Sequence, residues 1–70
     1  MVQIKLRYKI GKQIKQCRQD KSMTQKELSI ISGIAESTIA RIEHGKFSFS
    51  IDIIERLCEA LHLDLNLIKL

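Results

Sequence analysis

Residues 24–46 read TQKELSIISGIAESTIARIEHGK and contain the start and stop signals of two short helices. Thr24 can cap the first helix, and Glu27, three residues later, completes a T-x-x-E capping box. Gly33 can adopt the positive φ that ends a helix, and Gly45 can end the second helix in the same way. The stretch therefore predicts two helices with a tight turn between them.

Apolar residues recur at helical spacing in both halves of this stretch. Leu28 and Ile31 are predicted to point inward from the first helix, and Ile39 and Ile42 from the second. Two helices of about two turns each, joined by a turn that contains glycine, form a helix-turn-helix. Residues 24–46 are accordingly predicted to be this motif.

The length of 70 residues predicts one domain, residues 1–70, with a core small enough that dimerisation would help it. No apolar run approaches the roughly 18 residues that suggest a membrane span. The N-terminus MVQIKLRYK has no hydrophobic block of the signal-peptide kind. We therefore expect a cytoplasmic protein without a membrane partner.

The cysteines and histidines do not indicate a metal site. Cys17 and Cys58 are 41 positions apart, and neither they nor His44 and His62 form the closely spaced pairs that bind zinc. In a reducing compartment, lone cysteines on apolar faces are expected to be small core residues. No metal or cofactor is predicted, and the absence of any catalytic constellation or glycine-rich phosphate loop argues against an enzyme.

The net charge of +4 is concentrated at one end of the chain. Residues 1–26 carry eight Lys or Arg against one acid, Asp20, for a formal charge of +7. Residues 27–70 carry four basic and seven acidic residues, for a formal charge of −3. A positive end suits a polyanionic partner. A solvated basic face would have the same composition, so charge supports nucleic-acid binding without establishing it.

The segments around the motif show two different periods. Residues 2–8 alternate between apolar and polar side chains and predict a strand, whereas residues 10–20 have the spacing of an amphipathic helix, with Gly11 at its boundary. Ser50 is predicted to cap a further helix that runs to about His62. Residues 63–67 alternate again and favour a second strand, although Asp64 could instead cap a short helix.

The predicted fold class is mainly α, a repressor-like domain of four or five helices with short N- and C-terminal β-strands. A lone two-stranded ribbon is marginal in water, so we expect the two strands to pair at the interface of a homodimer. The residues predicted at this dimer interface are Val2, Ile4, Leu6, Ile53, Leu63, Leu65 and Leu67.

From residue 10 to about residue 62 the chain resembles the phage repressor and Cro-type helix-turn-helix family, also called the Xre type. The matching segments are TQ-x-EL at 24–28, GI at 33–34, STI at 37–39 and RIE-x-GK at 41–46. The resemblance implies a five-helix DNA-binding domain whose third helix lies in the DNA major groove. It also implies a bacterial or phage origin and a place on the nucleoid.

The resemblance assigns DNA contacts residue by residue. Base contacts are expected from Glu36, Ser37, Thr38 and Arg41, and phosphate contacts from Thr24, Gln25, His44 and Lys46. Arg41 can bond guanine O6 and N7 together. Glu36 can accept from cytosine N4, or simply favour the positive end of the helix dipole. His44 can also be an ordinary exposed loop histidine.

The resemblance further implies a partly buried salt bridge between Arg18 and Glu43. The chain departs from the family pattern at Ala35, where a Ser or Thr usually caps the recognition helix, and at residues 47–49, which replace a loop that is often basic. The alternating residues 63–67 are similar to the C-terminal strand of HipB-like antitoxins, which pairs with its twin in the dimer.

Three functions compete at this point. The first is a sequence-specific DNA-binding regulator, acting as a homodimeric repressor with helix 36–43 in the major groove. The alternative is the antitoxin of a toxin–antitoxin pair, which binds a toxin protein and represses its own operon. The third is an interaction module that has lost DNA binding, which the presence of Gln25, Arg41 and Lys46 argues against.

Overall fold

The computed structural model describes residues 2–46 and 50–63, which contain four α-helices and no strand. The helices are α1 (Val2–Asp20), α2 (Gln25–Ser32), α3 (Glu36–Glu43) and α4 (Ile51–Ala60). The prediction of a mainly α domain is therefore confirmed. The helix-turn-helix predicted at residues 24–46 corresponds to α2, α3 and the turn at Gly33.

The predicted N-terminal strand is wrong, because residues 2–8 form the first two turns of α1. Adding turns to an existing helix costs no new nucleation, and a lone strand would leave its backbone groups without partners. The dimer contacts predicted for Val2, Ile4 and Leu6 assumed that strand and lose their basis with it. The predicted C-terminal strand falls largely on residues 64–70, which lie outside the described part of the chain, as do Leu65 and Leu67.

The core lies where α1, α2, α3 and α4 meet. Five of its side chains have no exposed surface: Leu28, Ile39, Ile42, Leu57 and Leu61. Ile14, Ile34 and Ile54 complete the buried cluster, and Cys17, Ile53, Cys58 and Leu63 are half-buried against it. This agrees with the prediction that the cysteines are small core residues.

Ile31, which is predicted to point inward, lies on the surface instead and is 59% exposed. Ile51, at the start of α4, is also on the surface and is 63% exposed. α2 is only eight residues long, and a single side chain, Leu28, fills its contact with the core. The spacing of Ile31 from Leu28 is helical, but spacing alone does not show how wide the buried stripe of a short helix is.

Gly11 lies inside α1, not at a helix boundary as predicted, and it is buried. A Cβ atom at this position would overlap the carbonyl oxygen of Ile42, and it would lie 3.1 Å from the Ile42 carbonyl carbon and 3.3 Å from that of Glu43. The absence of a side chain therefore lets α1 pack directly on the last turn of α3.

The ends of the helices follow the predicted signals. Thr24 and Glu27 form the capping box of α2, with the Glu27 amide donating to Thr24 Oγ1 (3.0 Å) and the Thr24 amide to Glu27 Oε1 (2.8 Å). Gly33 ends α2 at φ 76°. Ser50 caps α4 by accepting from the Ile53 amide. α3 begins at Ala35 without a side-chain cap, as expected.

Candidate nucleic-acid interface

One side of α3 is fixed inside the protein. Ile39 and Ile42 are fully buried, and Glu43, the last residue of the helix, is only 5% exposed. α1 packs across this side at Gly11, and α2 packs beside it. Because these contacts take up the inward face, they decide which residues of α3 point to solvent.

The fixed side of α3 ends in a buried hydrogen-bond network centred on Glu43. Arg18 on α1 donates from Nε to Glu43 Oε2 (2.7 Å) and from Nη2 to Glu43 Oε1 (3.0 Å). The amide Nε2 of Gln25 on α2 donates to the same Oε1 (3.0 Å). Arg18 also donates from Nη1 to the carbonyl oxygen of Met23 (2.7 Å). The structure thus contains the Arg18–Glu43 ion pair that the resemblance implies.

This network ties three helices together through charged groups. The bidentate geometry of Arg18 on Glu43 is the strong form of a guanidinium–carboxylate pair. The hydrogen bond to Glu43, joined by its negative charge, raises the pKa of Arg18 above its ordinary value, although burial acts in the opposite direction. Within residues 6–46 and 50–63, no buried side-chain nitrogen or oxygen lacks a partner. All hydrogen-bonding groups of the buried pair therefore have partners. The network holds the end of α3 against α1 and α2.

The opposite side of α3 faces solvent. Glu36, Ser37 and Arg41 are exposed, and Thr38 is half-buried. All four residues predicted to contact bases lie on this helix. Ser37 and Arg41 share its outward surface, whereas Glu36, seven residues before the buried Glu43, is exposed at the start of the helix. Glu36 also lies in the first turn, where a carboxylate suits the positive end of the helix dipole.

The residues predicted to contact phosphate lie on two segments, the start of α2 and the turn that follows α3, and both segments adjoin Glu43 in the last turn of α3. Thr24 is exposed at the start of α2, whereas Gln25 is half-buried with one amide hydrogen engaged by Glu43. His44 and Lys46 are exposed in the turn after α3, which Gly45 closes at φ 72°. His44 Nδ1 donates to the Ala40 carbonyl oxygen (2.7 Å).

Two features of this region were not predicted from the sequence. The first is the hydrogen bond from Gln25 to Glu43, which joins a residue predicted to contact phosphate to the buried pair. The second is the packing of Tyr8 against Gly45, where a Cβ atom on the glycine would lie 3.1 Å from Tyr8 Cα. A glycine in the turn and an aromatic residue ahead of the predicted helix were visible in the sequence, but nothing in their spacing indicated contact.

Cys58 on α4 is half-buried against the core. Burial raises the pKa of the Cys58 thiol, and the neighbouring Cys17 raises it further. Both cysteines are free thiols in the structure. In the part of the chain that the structure describes, no group of three or more His, Cys, Asp or Glu side chains could hold a metal ion. No helix there is both long and apolar enough to cross a membrane.

A capped helix, a glycine turn and a second helix anchored on one side define a helix-turn-helix domain with one surface-exposed helix face. Comparisons with known proteins agree. A family model described as helix-turn-helix matches residues 14–68. The crystal structure of the restriction-modification controller protein C.AhdI from Aeromonas hydrophila superposes with a TM-score of 0.80 at 28% sequence identity, covering 83% of this chain and 88% of that one.

Two curated proteins are also similar in sequence. The ImmF control region 10 kDa protein of Bacillus phage phi105 is 31% identical over 62 residues, which are 89% of this chain and 69% of the phage protein. Antitoxin PezA of Streptococcus pneumoniae serotype 4 is 35% identical over 54 residues, or 77% of this chain. That match spans only 34% of the length of PezA.

The chain belongs to the helix-turn-helix family, as a domain of the Xre and Cro type, a class of DNA-binding regulators. The family resemblance predicted from the sequence is thereby confirmed.

Proposed function

We propose that the protein regulates transcription by inserting α3 into the major groove of double-stranded DNA, where its outward side chains read base edges. The observation that carries this proposal is the two-sided environment of α3. Its inner side is buried at Ile39, Ile42 and Glu43, whereas Ser37 and Arg41 on the opposite side are exposed. An α-helix fits the major groove of B-DNA, and a helix held rigidly on one side can present the other side in a fixed orientation.

Arg41 is the residue proposed to contribute most to sequence preference. Its guanidinium can donate to O6 and N7 of one guanine, and such a bidentate pair discriminates against a wrong base by about 1–3 kcal/mol. Ser37 and Thr38 can donate to or accept from several bases, and Glu36 can accept from cytosine N4. The exposure of Arg41, Ser37 and Glu36 supports these roles.

Thr24 and Gln25 at the start of α2, and His44 and Lys46 in the turn after α3, are proposed to hold the DNA backbone. Phosphate contacts set the register of a protein on the duplex but carry no sequence information. Gln25 has a second amide hydrogen beyond the one that Glu43 accepts, so it could bind phosphate while it remains tied to Glu43. A phosphate held in this way would be connected to the anchor of α3.

We further propose a homodimer that represses transcription by occupying a roughly palindromic operator. Helix-turn-helix dimers bind half-sites about 34–36 Å apart, one turn of the DNA helix. Ile53 and Leu63, two of the residues predicted at the dimer interface, are half-buried against the core. Light scattering on the full chain and on a chain lacking residues 63–70 tests this role. An unchanged dimer after truncation would exclude the C-terminal contact.

The base-reading proposal is tested by selecting preferred sequences from random duplexes at moderate salt. The wild-type protein is expected to enrich a related set of sequences. Arg41→Ala is expected to lose the preference at one base pair per half-site while the variant remains folded by circular dichroism. Arg56→Ala removes the same charge from an exposed position on α4 and should leave the selected sequence unchanged. If the wild-type protein enriches no sequence, direct base reading is wrong.

An antitoxin role is the second candidate, and the similarity to PezA favours it. Such a protein would bind a toxin through a surface other than α3 and would repress its own operon. Co-expression with the product of the adjacent reading frame, followed by size-exclusion chromatography, tests this candidate. A stable complex that still binds DNA would support the antitoxin role, and two separate species would support a regulator without a toxin partner.

A further inference from the structure

The N-terminal half of α1 runs beside the turn that follows α3. A Cβ atom on Gly45 would lie 3.1 Å from Tyr8 Cα, 3.3 Å from Tyr8 Cδ1 and 3.4 Å from Tyr8 Cβ. Tyr8 therefore packs against Gly45, the residue between His44 and Lys46. The N-terminal half of α1 is thus held next to His44 and Lys46, the two residues of this turn that are proposed to contact phosphate.

Tyr8 and Lys12 form a pair on the surface of α1. The Nζ atom of Lys12 lies 5.3 Å from the centre of the Tyr8 ring, within the range of a cation–π contact. Tyr8 is 52% exposed and Lys12 is exposed. A phenol and an ammonium group, both of which can donate to an anion, are therefore held side by side in contact with solvent.

The surrounding charge also suits an anion. α1 has no acidic residue until Asp20, its last residue, whereas Arg7, Lys9, Lys12 and Lys15 lie along its first four turns. Lys46 adds a further positive charge on the other side of Gly45. Of these residues Lys9, Lys12 and Lys15 are exposed, and Arg7 is half-buried. An exposed positive surface without an acidic residue on this part of α1 suits the phosphate backbone of a duplex.

We propose that Tyr8 and Lys12 form an additional phosphate-binding element for duplex DNA, which continues the contact surface from His44 and Lys46 onto α1. This inference rests on the proposed function, because it assumes that α3 binds the major groove. Lys12 donates to a phosphate oxygen from its ammonium group, and Tyr8 donates from its hydroxyl. The packing of Tyr8 on Gly45 fixes the distance between this element and the turn after α3.

The test measures duplex affinity as a function of salt concentration for the full chain and three variants. Lys12→Gln removes the charge, and Tyr8→Phe removes only the hydroxyl while it keeps the ring against Gly45. Lys21→Gln is the matched control, because Lys21 is exposed just beyond the other end of α1 and carries the same charge. Circular dichroism and thermal melting verify that each variant is folded.

Loss of one phosphate contact is expected to reduce the slope of log affinity against log salt by about one unit and to weaken binding about three- to tenfold for Lys12→Gln. Tyr8→Phe is expected to weaken binding about two- to fivefold with little change in slope, because no charge is lost. Lys21→Gln should behave like the wild-type protein.

Equal slopes for Lys12→Gln and Lys21→Gln, with wild-type binding intact, would overturn this inference and leave the proposed function standing. A folded wild-type protein that binds no duplex at low salt would remove the proposed function, and this inference with it.

Discussion

α2 and α3 are both eight residues long, but they are stabilised in different ways. α2 has a complete capping box at Thr24 and Glu27 and a left-handed glycine at its end, so its own sequence satisfies its first and last backbone groups. α3 begins at Ala35 with no side-chain cap. In return, α3 buries two isoleucines completely and one carboxylate almost completely, whereas α2 buries only Leu28.

This difference shows where a DNA-reading helix can obtain its stability. A helix that must present one face to a ligand cannot use that face for packing, and α3 instead gains stability from its inner side and from its last turn. The network of Arg18, Gln25 and Glu43 connects that last turn to both neighbouring helices. α3 is thus positioned by tertiary contacts, and α2 largely by local ones.

Breaking the buried pair is expected to have the largest effect on stability. Glu43→Gln leaves the Arg18 guanidinium buried without a charged partner, which should lower the free energy of unfolding by about 3–5 kcal/mol. A 70-residue domain has little more than this to lose, so the variant is expected to be largely unfolded at 37 °C. Urea denaturation at neutral pH measures the loss.

The matched control for this prediction is the double variant Arg18→Met, Glu43→Leu. Replacing both charges with apolar side chains of similar size removes the stranded charge, so most of the lost stability should return. If the double variant were as unstable as Glu43→Gln, the hydrogen bonds of the network, and not the charge balance, would hold α3.

Gly11→Ala tests the close packing of α1 against the last turn of α3. Alanine favours a helix over glycine by about 1 kcal/mol, but the added Cβ would overlap the Ile42 carbonyl oxygen. We expect a net loss of about 1–3 kcal/mol, because α1 and α3 must move apart. Gln13→Ala, at an exposed site on the same helix, should change stability by less than about 0.5 kcal/mol. A stabilised Gly11→Ala variant would mean that the helices are not in contact here.

Two substitutions at helix N-terminal caps test how much α2 and α3 each depend on capping, and we expect the smallest effects here. Thr24→Ala removes the cap of α2 and should cost about 1 kcal/mol. Ala35→Ser places a hydroxyl where φ is −56° and ψ is 140° and no cap exists, and it should gain up to about 1 kcal/mol. Thermal melting of both variants gives the two values. Equal and small shifts would show that neither helix depends on its N-terminal cap.

The sequence predicts the structure best at positions where local backbone geometry requires a particular residue type. Thr24, Glu27, Gly33 and Ser50 were recognisable because caps and left-handed turns require those residues at fixed positions. The inward positions Leu28, Ile39 and Ile42 followed from periodicity. These signals are local, and they were sufficient to predict the helix-turn-helix and its family.

The sequence predicted less well where the outcome depends on packing between distant segments. Residues 2–8 alternate as a strand would, yet they form the start of α1, since alternation over seven residues does not exclude a helix. Gly11 was assigned to a helix boundary because glycine usually marks one, and only the approach of α3 explains its presence inside α1. The bond from Gln25 to Glu43 likewise needs the positions of two helices.

The most direct test of DNA binding through α3 is a crystal structure of the protein bound to the duplex that it selects. We expect α3 in the major groove, with the Arg41 guanidinium within hydrogen-bond distance of a guanine. We also expect the hydrogen bonds from Arg18 and Gln25 to Glu43 to be intact. A complex in which another helix occupies the groove, or in which α3 moves away from Gly11 to bind, would contradict DNA reading by an α3 that is held in this position.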